Sequence, residues 1–193
     1  PLFVSFQIPR QLDALTPPLP RPPTVRFLAV WLIQAAWNWI VTLPLLLLNS
    51  AGEGPPFGAW TDGVGIALWA LGFLLETTAD FQKYAFKSDA ANKGRFIDVG
   101  LWRFARYPNY CGEIALQVGV FVGCCAVFSG ADWASVVAPL FTALLLLGLS
   151  GVPLQERQAA QRWGGDAAFQ EYKRRTWLLL PLPRPAFLRR RAA

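Results

Sequence analysis

The chain has 193 residues, of which 54% are hydrophobic and 16% charged, well below the roughly 25% charge content of soluble domains. Long uncharged runs without ten-residue alternation exclude an ordinary soluble domain and a β-barrel, and point to one compact helical membrane unit. The net charge of +6 would suit nucleic acid, but the placement of the cations described below excludes that partner.

Pro1 to Arg26 holds Pro9, Pro17, Pro18, Pro20, Pro22 and Pro23. Proline at this density rules out a regular helix, so residues 1–26 read as an extended lead-in. The chain begins at Pro1 rather than Met, and no signal-peptide pattern precedes the first span; a fragment or processed form is expected. Phe27 to Leu48 is the first uncharged run, with a kink expected at Pro44. Asn49 to Gly63 is a Gly/Pro loop carrying Glu53 and Asp62.

The second span starts near Val64 and runs through IALWALGFLLETTADFQKYAF, to Phe86. Its strictly apolar part is short for a hydrocarbon core of roughly 30 Å, so the helix must continue through Glu76 and Asp80. These acids are four apart and share a face. An ionisable residue at such depth is a candidate functional group; the structural alternative is a clasp in which Glu76 pairs with Lys83 or with a neighbouring helix.

Phe81 to Asn109 reads as a basic, aromatic connection with Lys93, Arg95, Arg103 and Arg106 among Trp102, Tyr107 and Tyr110. Tyr110 to Ser129 is the third span, with Glu113 in its first turn, where the helix dipole alone would favour an acid. A short turn at Gly130 to Trp133 makes a hairpin with the fourth span, Ala134 to Gly151. That span is closed by the helix-ending sequence Ser150-Gly151-Val152-Pro153. Gln155 to Phe169 is charged and contains Gly164 and Gly165. Tyr172-Lys-Arg-Arg-Thr176 precedes an apolar run, and residues 184–193 form a basic tail.

Charge counting fixes the arrangement. Three cations precede span one, six lie between spans two and three, and nine follow span four; these are all eighteen Lys and Arg. With four spans every cation lies on one side, which the positive-inside rule makes cytoplasmic. The expected fold is therefore an all-α, multi-pass bundle of about four spans with a cavity on the cytoplasmic side. Its membrane would be the endoplasmic reticulum in a eukaryote or the inner membrane in a bacterium.

There is no histidine, which argues against a zinc hydrolase, and no metal site is expected. Cys111, Cys124 and Cys125 are odd in number and include an adjacent pair in an apolar run, so they read as packing residues rather than a disulfide framework. At the basic side the chain gathers Glu76, Asp80, Glu113 and Glu156 with Arg95, Arg103, Arg106, Arg174 and Arg175, plus Asn92, Asn109, Tyr107, Tyr110 and Tyr172. Arginine forks bind phosphates, aromatic faces stack on bases, and carboxylates accept from ribose hydroxyls. These groups suit a nucleotide-bearing cofactor. The absence of GxGxxG excludes a Rossmann site. For the juxtamembrane cations, and for Lys87 and Arg189 to Arg191 in particular, binding of anionic lipid headgroups is the simpler role.

An ordered set of motifs carries a resemblance. It runs Glu76-x-x-x-Asp80-x-Gln82, Asn92-x-Gly94, Gly100-Leu-Trp-Arg103, Arg106-Tyr-Pro-Asn-Tyr-x-Gly-Glu113, then Ser150-Gly-Val-Pro-x-x-Glu156 and Tyr172-Lys-Arg-Arg-Thr176 before Pro181. Residues 27–183 resemble the steroid 5-alpha-reductase-like membrane family, especially its uncharacterised branch, and more distantly isoprenylcysteine carboxyl methyltransferases and sterol reductases. The resemblance implies an NADPH site open to the cytoplasm. It makes Asp80, Asn109 and Glu113 the leading cofactor-binding residues, with Arg106, Tyr110, Glu156, Tyr172, Glu76 and Arg103 behind them. It also implies reduction of a conjugated carbon–carbon double bond in a lipophilic, steroid- or lipid-like substrate, in contact with membrane lipids. In steroid reductases the groups that polarise the substrate carbonyl lie on helices that would precede Phe27. No catalytic residue is therefore assigned, nor an oligomeric state. The alternatives are a membrane methyltransferase using S-adenosylmethionine and a non-enzymatic membrane scaffold.

Overall fold

The computed structural model describes residues 24–52 and 57–183. The expected proline-rich lead-in up to residue 23, Glu53 and the basic tail 184–193 lie outside the described residues. Every regular element among those described is helical, and the one extended feature is an isolated bridge between Ala105 and Trp177. Four stretches, Trp31–Ser50, Trp60–Ser88, Pro108–Val127 and Gly130–Trp163, are long and apolar enough to cross a membrane. The protein is an all-α integral membrane protein.

The chain divides into two units at Asn38–Trp39. Helix α1, Thr24–Ser50, begins in the first. There the side chains of Phe27, Leu28, Trp31, Leu32 and Ile33 are exposed, as suits a helix whose solvent is lipid. In the second unit α1 carries the buried Pro44 inside the helix and runs on to Ser50.

Helix α2 spans Trp60–Ser88. Asp62 starts it by accepting from the backbone N–H groups of Gly58 and Ala59 at 2.8 and 2.9 Å, two donors near the helix start that would otherwise lack partners. The helix runs to Ser88, two residues past the expected Phe86, and takes in the first residues of the expected connection. Phe81 to Lys87 contains no Gly or Pro, and Lys87 in the last turn suits the helix dipole. The basic connection is correspondingly shorter.

Helix α3, Pro108–Cys124, opens with Pro at its first position, where no N–H partner is needed. It packs antiparallel on α2 through glycines seven apart on each helix, Gly65 and Gly72 against Gly112 and Gly119. A Cβ on Gly72 would lie 2.5 Å from Leu116 N and 2.7 Å from Gly112 O; one on Gly112 would lie 2.6 Å from Glu76 N. The two backbones therefore touch, the close approach that small residues allow in membranes, where dispersion replaces the hydrophobic effect as the drive for helix pairing.

A 3₁₀ segment, Gly130–Val136, turns the chain into α4, Val137–Leu144, and Phe121, Phe128 and Trp133 pack edge-on or tilted at this end. The fourth span then loosens into a π turn over Leu145–Leu149, closed by Ser150 N–H donating to Leu145 O at 2.9 Å. The break expected at Ser150–Pro153 is there. A new helix, α5, Val152–Trp163, starts with Pro153 in its first turn. The Gly164-Gly165 turn leads to α6, Ala167–Arg175, capped by Asp166 accepting from Ala168 N–H at 2.8 Å. Cys111, Cys124 and Cys125 are free thiols.

Candidate functional site

The polar end of the second unit is held by side chains that reach backbone groups. Gly100 has φ of +57°, open to glycine at low cost, and Gln82 fills the space a Cβ would need. The Gln82 amide oxygen accepts from Leu101 N–H at 2.8 Å. Trp102 Nε1–H donates to Ala79 O at 2.9 Å, and the Tyr172 hydroxyl donates to Trp102 O at 2.8 Å. Asn92 Nδ2 donates to Phe86 O at 3.1 Å. Arg106 and Tyr107 N–H groups donate to the carbonyls of Trp177 and Leu178, both at 2.9 Å. The connection from Asp89 to Tyr107 is thus tied to α2 on one side and to α6 and the segment after it on the other.

On that frame the predicted residues fall into two groups. In the first, α2 presents Glu76 and Asp80 to Asn109 and Glu113 of α3. Asn109 Nδ2 donates to Asp80 Oδ1 at 3.1 Å. One turn deeper on each helix stand Glu76, which is buried, and Glu113. The antiparallel register explains the meeting: acids at i and i+4 on α2 face an amide and an acid at i and i+4 on α3, and Gly112 lets the backbones close. Lys83 is not the partner of Glu76; its ammonium lies over the Trp102 ring, 5.0 Å from the centroid. The Asn109 Oδ1 atom is buried and accepts no hydrogen bond. A buried acceptor left in this state is costly, by about 1–3 kcal/mol, and is suited to a donor from a ligand.

The second group centres on Glu156 in α5. Its Oε1 receives Arg106 Nη1 at 2.8 Å and the Tyr107 hydroxyl at 2.9 Å, and its Oε2 pairs with Lys173 Nζ at 2.7 Å. This ties together the residues before α3, α5 and α6. Burial, and then the hydrogen bond given to Glu156, push the Tyr107 phenol far above its ordinary value of 10.0; burial does the same to Tyr172. Both therefore stay neutral and act as donors. Tyr107 stacks on Tyr110 with ring centroids 5.4 Å apart, which joins the two groups.

Not every expected site residue converges. Arg103 is exposed at the end of the 3₁₀ turn Gly100–Arg103 and makes no ion pair or hydrogen bond among the described residues. It points away because Trp102, its neighbour, takes the buried position. Glu156 and Tyr172 have their polar atoms engaged by protein groups, so they hold the frame rather than offer free ligating atoms. Arg175 pairs with Asp98 at 3.3 Å, and Arg174 with Glu171 at 2.8 Å.

The sequence reading missed an open cleft of about 140 Å³, walled by the last turns of α2, the connection, α5 and α6. Five cations line it: Lys83, Lys87, Arg95, Arg106 and Arg162. Its one acid is Glu156. Phe96, Trp163, Phe169 and Tyr172 form its aromatic wall, with Phe96 5.2 Å from both Phe169 and Tyr172. Trp163 Nε1–H donates to Gly94 O at 2.7 Å and fixes the rim. The spacing of Lys83 and Lys87, one turn apart, was the available signal.

A helical membrane bundle with a polar, acid–amide pair between two spans and a basic cleft beside it defines the class. The chain belongs to the DUF1295 family, described as proteins of unknown function, whose pattern matches residues 14–176. No curated protein and no solved structure matches the chain.

Proposed function

We propose that the protein is an NADPH-dependent reductase of a conjugated carbon–carbon double bond in a lipophilic substrate. The observation that carries this reading is the contact of Asp80 on α2 with Asn109 on α3, one turn from Glu113 on the same helix as Asn109. The resemblance to steroid 5-alpha reductases supports it, since the same family model includes members of that kind.

The residues fit such a cofactor on one point of this structure: the buried, unbonded Asn109 Oδ1 beside two carboxylates offers acceptors for amide or hydroxyl donors. Asp80, Asn109 and Glu113 would hold the cofactor, with Tyr110 beside them on the same helix. When bound, NADPH supplies a hydride to the β-carbon and leaves as NADP⁺; a proton added to the α-carbon completes the saturated product. The close α2–α3 backbones exclude water from the interface, and the Arg106–Glu156–Lys173 cluster keeps Tyr107 and hence Tyr110 in place.

The test is thermal denaturation of the purified protein with NADPH and, separately, with S-adenosylmethionine. Stabilisation by NADPH alone is expected, since a ligand at a hundred times its Kd adds about 2.7 kcal/mol. Stabilisation by S-adenosylmethionine alone would identify a methyltransferase, and by neither a scaffold.

A further inference from the structure

We propose that the cleft between the end of α2 and helices α5 and α6 is a binding site for a phosphomonoester, and that in the reductase it takes the 2′-phosphate of the cofactor. This rests on the reading above for the identity of the ligand, but on separate residues for the site.

The charges are the first argument. Glu156, the only acid on the cleft wall, is already engaged by Arg106, Tyr107 and Lys173. Lys83, Lys87, Arg95 and Arg162 have no carboxylate ion pair among the described residues. Lys83 and Lys87 stand one turn apart on the same helix, an arrangement that repels like charges. Helix dipoles account for Lys87 and Arg162, in the last turns of α2 and α5. They do not account for the convergence of both helix ends on one cleft with Arg95 and Arg106, which lie on the connection. A dianion would offset two of these charges, and arginine forks match phosphate oxygens.

The second argument is an unused donor. Arg106 lines the cleft, and its Nε–H is buried without a partner although its Nη1 is bonded to Glu156. A buried guanidinium N–H in that state is set for an anionic acceptor. The third is position. The cleft walls include the polar helices α5 and α6 rather than the lipid-facing spans, and Phe96 and Trp163, both half-buried, offer ring faces to a planar base. Lys83 lies three residues beyond Asp80 on α2, so the phosphate site adjoins the group assigned to the rest of the cofactor.

The experiment compares binding of adenosine 2′,5′-bisphosphate and adenosine 5′-monophosphate to the detergent-solubilised full chain by calorimetric titration. The bisphosphate is expected to bind at least tenfold more tightly. Arg95→Gln combined with Arg162→Gln, both at exposed positions, should remove that preference; the Arg→Lys pair should restore part of it. Equal affinity for the two nucleotides in the wild type, or an unaltered preference in the Gln pair, overturns the proposal. So does displacement of the bisphosphate by nanodiscs of phosphatidic acid but not of phosphatidylcholine, which would make a lipid phosphate the occupant. Failure of NADPH to stabilise the protein while the bisphosphate preference persists would count against the reductase alone.

Discussion

At the scale of single residues, the motifs that carry the family resemblance separate by what their side chains touch. Gln82, Asn92 and Trp102 reach backbone carbonyls or N–H groups and hold the connection. Asp80 and Asn109 reach each other. Glu156 organises three donors, so Glu156→Gln should lower stability by about 2 kcal/mol, seen as a fall in the denaturation midpoint, because hydrogen bonds to charged groups are worth roughly 1.5–3 kcal/mol. Unchanged stability would mean the cluster is loose in solution. Tyr107 and Tyr172 make a pH prediction. Their phenols are raised from 10.0 by burial, so the unfolded chain ionises them near that value while the folded one does not. The unfolded state then binds fewer protons, and stability declines as pH rises above about 10. Tyrosinate absorbance should account for fewer residues than the four present until the protein unfolds. Asp80 and Asn109, which touch in the structure, both lie in motifs whose spacings are short and helical. The sequence could not reveal that Glu156 and Tyr172 are engaged by the protein, since their partners lie about fifty and seventy residues away.

At the scale of elements, the α2–α3 pair is the scaffold on which the acid–amide group stands. Its seam of glycines is visible in the sequence as two seven-residue spacings, yet only the antiparallel register shows that they face each other. Gly119→Ala and Gly123→Ala make a contrast. A Cβ at Gly119 would strike the Trp69 backbone N and lie 2.8 Å from Gly65 O, whereas one at Gly123 would meet Gly65 Cα at an ordinary 3.8 Å. The first is expected to force the helices apart and lower the denaturation midpoint by several degrees; the second should be tolerated. Equal effects would mean that the seam is not tightly closed. The helix α2 runs on past Asp80 because nothing in Phe81–Lys87 breaks a helix. The cleft was invisible in the sequence because α5 and α6 bring Arg162 and Trp163 to Arg95 and Phe96 across nearly seventy residues.

At the scale of the whole molecule, four stretches among the described residues are long and apolar enough to cross a membrane, and residues 49–63 and 130–133 carry no Lys or Arg. In a background lacking the three native cysteines, Lys93→Cys and Ala131→Cys should label with a membrane-impermeant maleimide from opposite sides of the membrane, Lys93 from the cytoplasm. Labelling of both from one side would break the four-span count. If Lys93 labels from the cytoplasm, the proposed nucleotide would enter from that side. The central claim is that Asp80, Asn109 and Glu113 hold that nucleotide. Calorimetric titration of NADPH into the wild type and into Asn109→Ala and Glu113→Gln tests it most directly. One-to-one binding that weakens at least tenfold in each variant, about 1.4 kcal/mol, is the expected result; wild-type affinity retained in both variants, or no binding to the wild type, would contradict it.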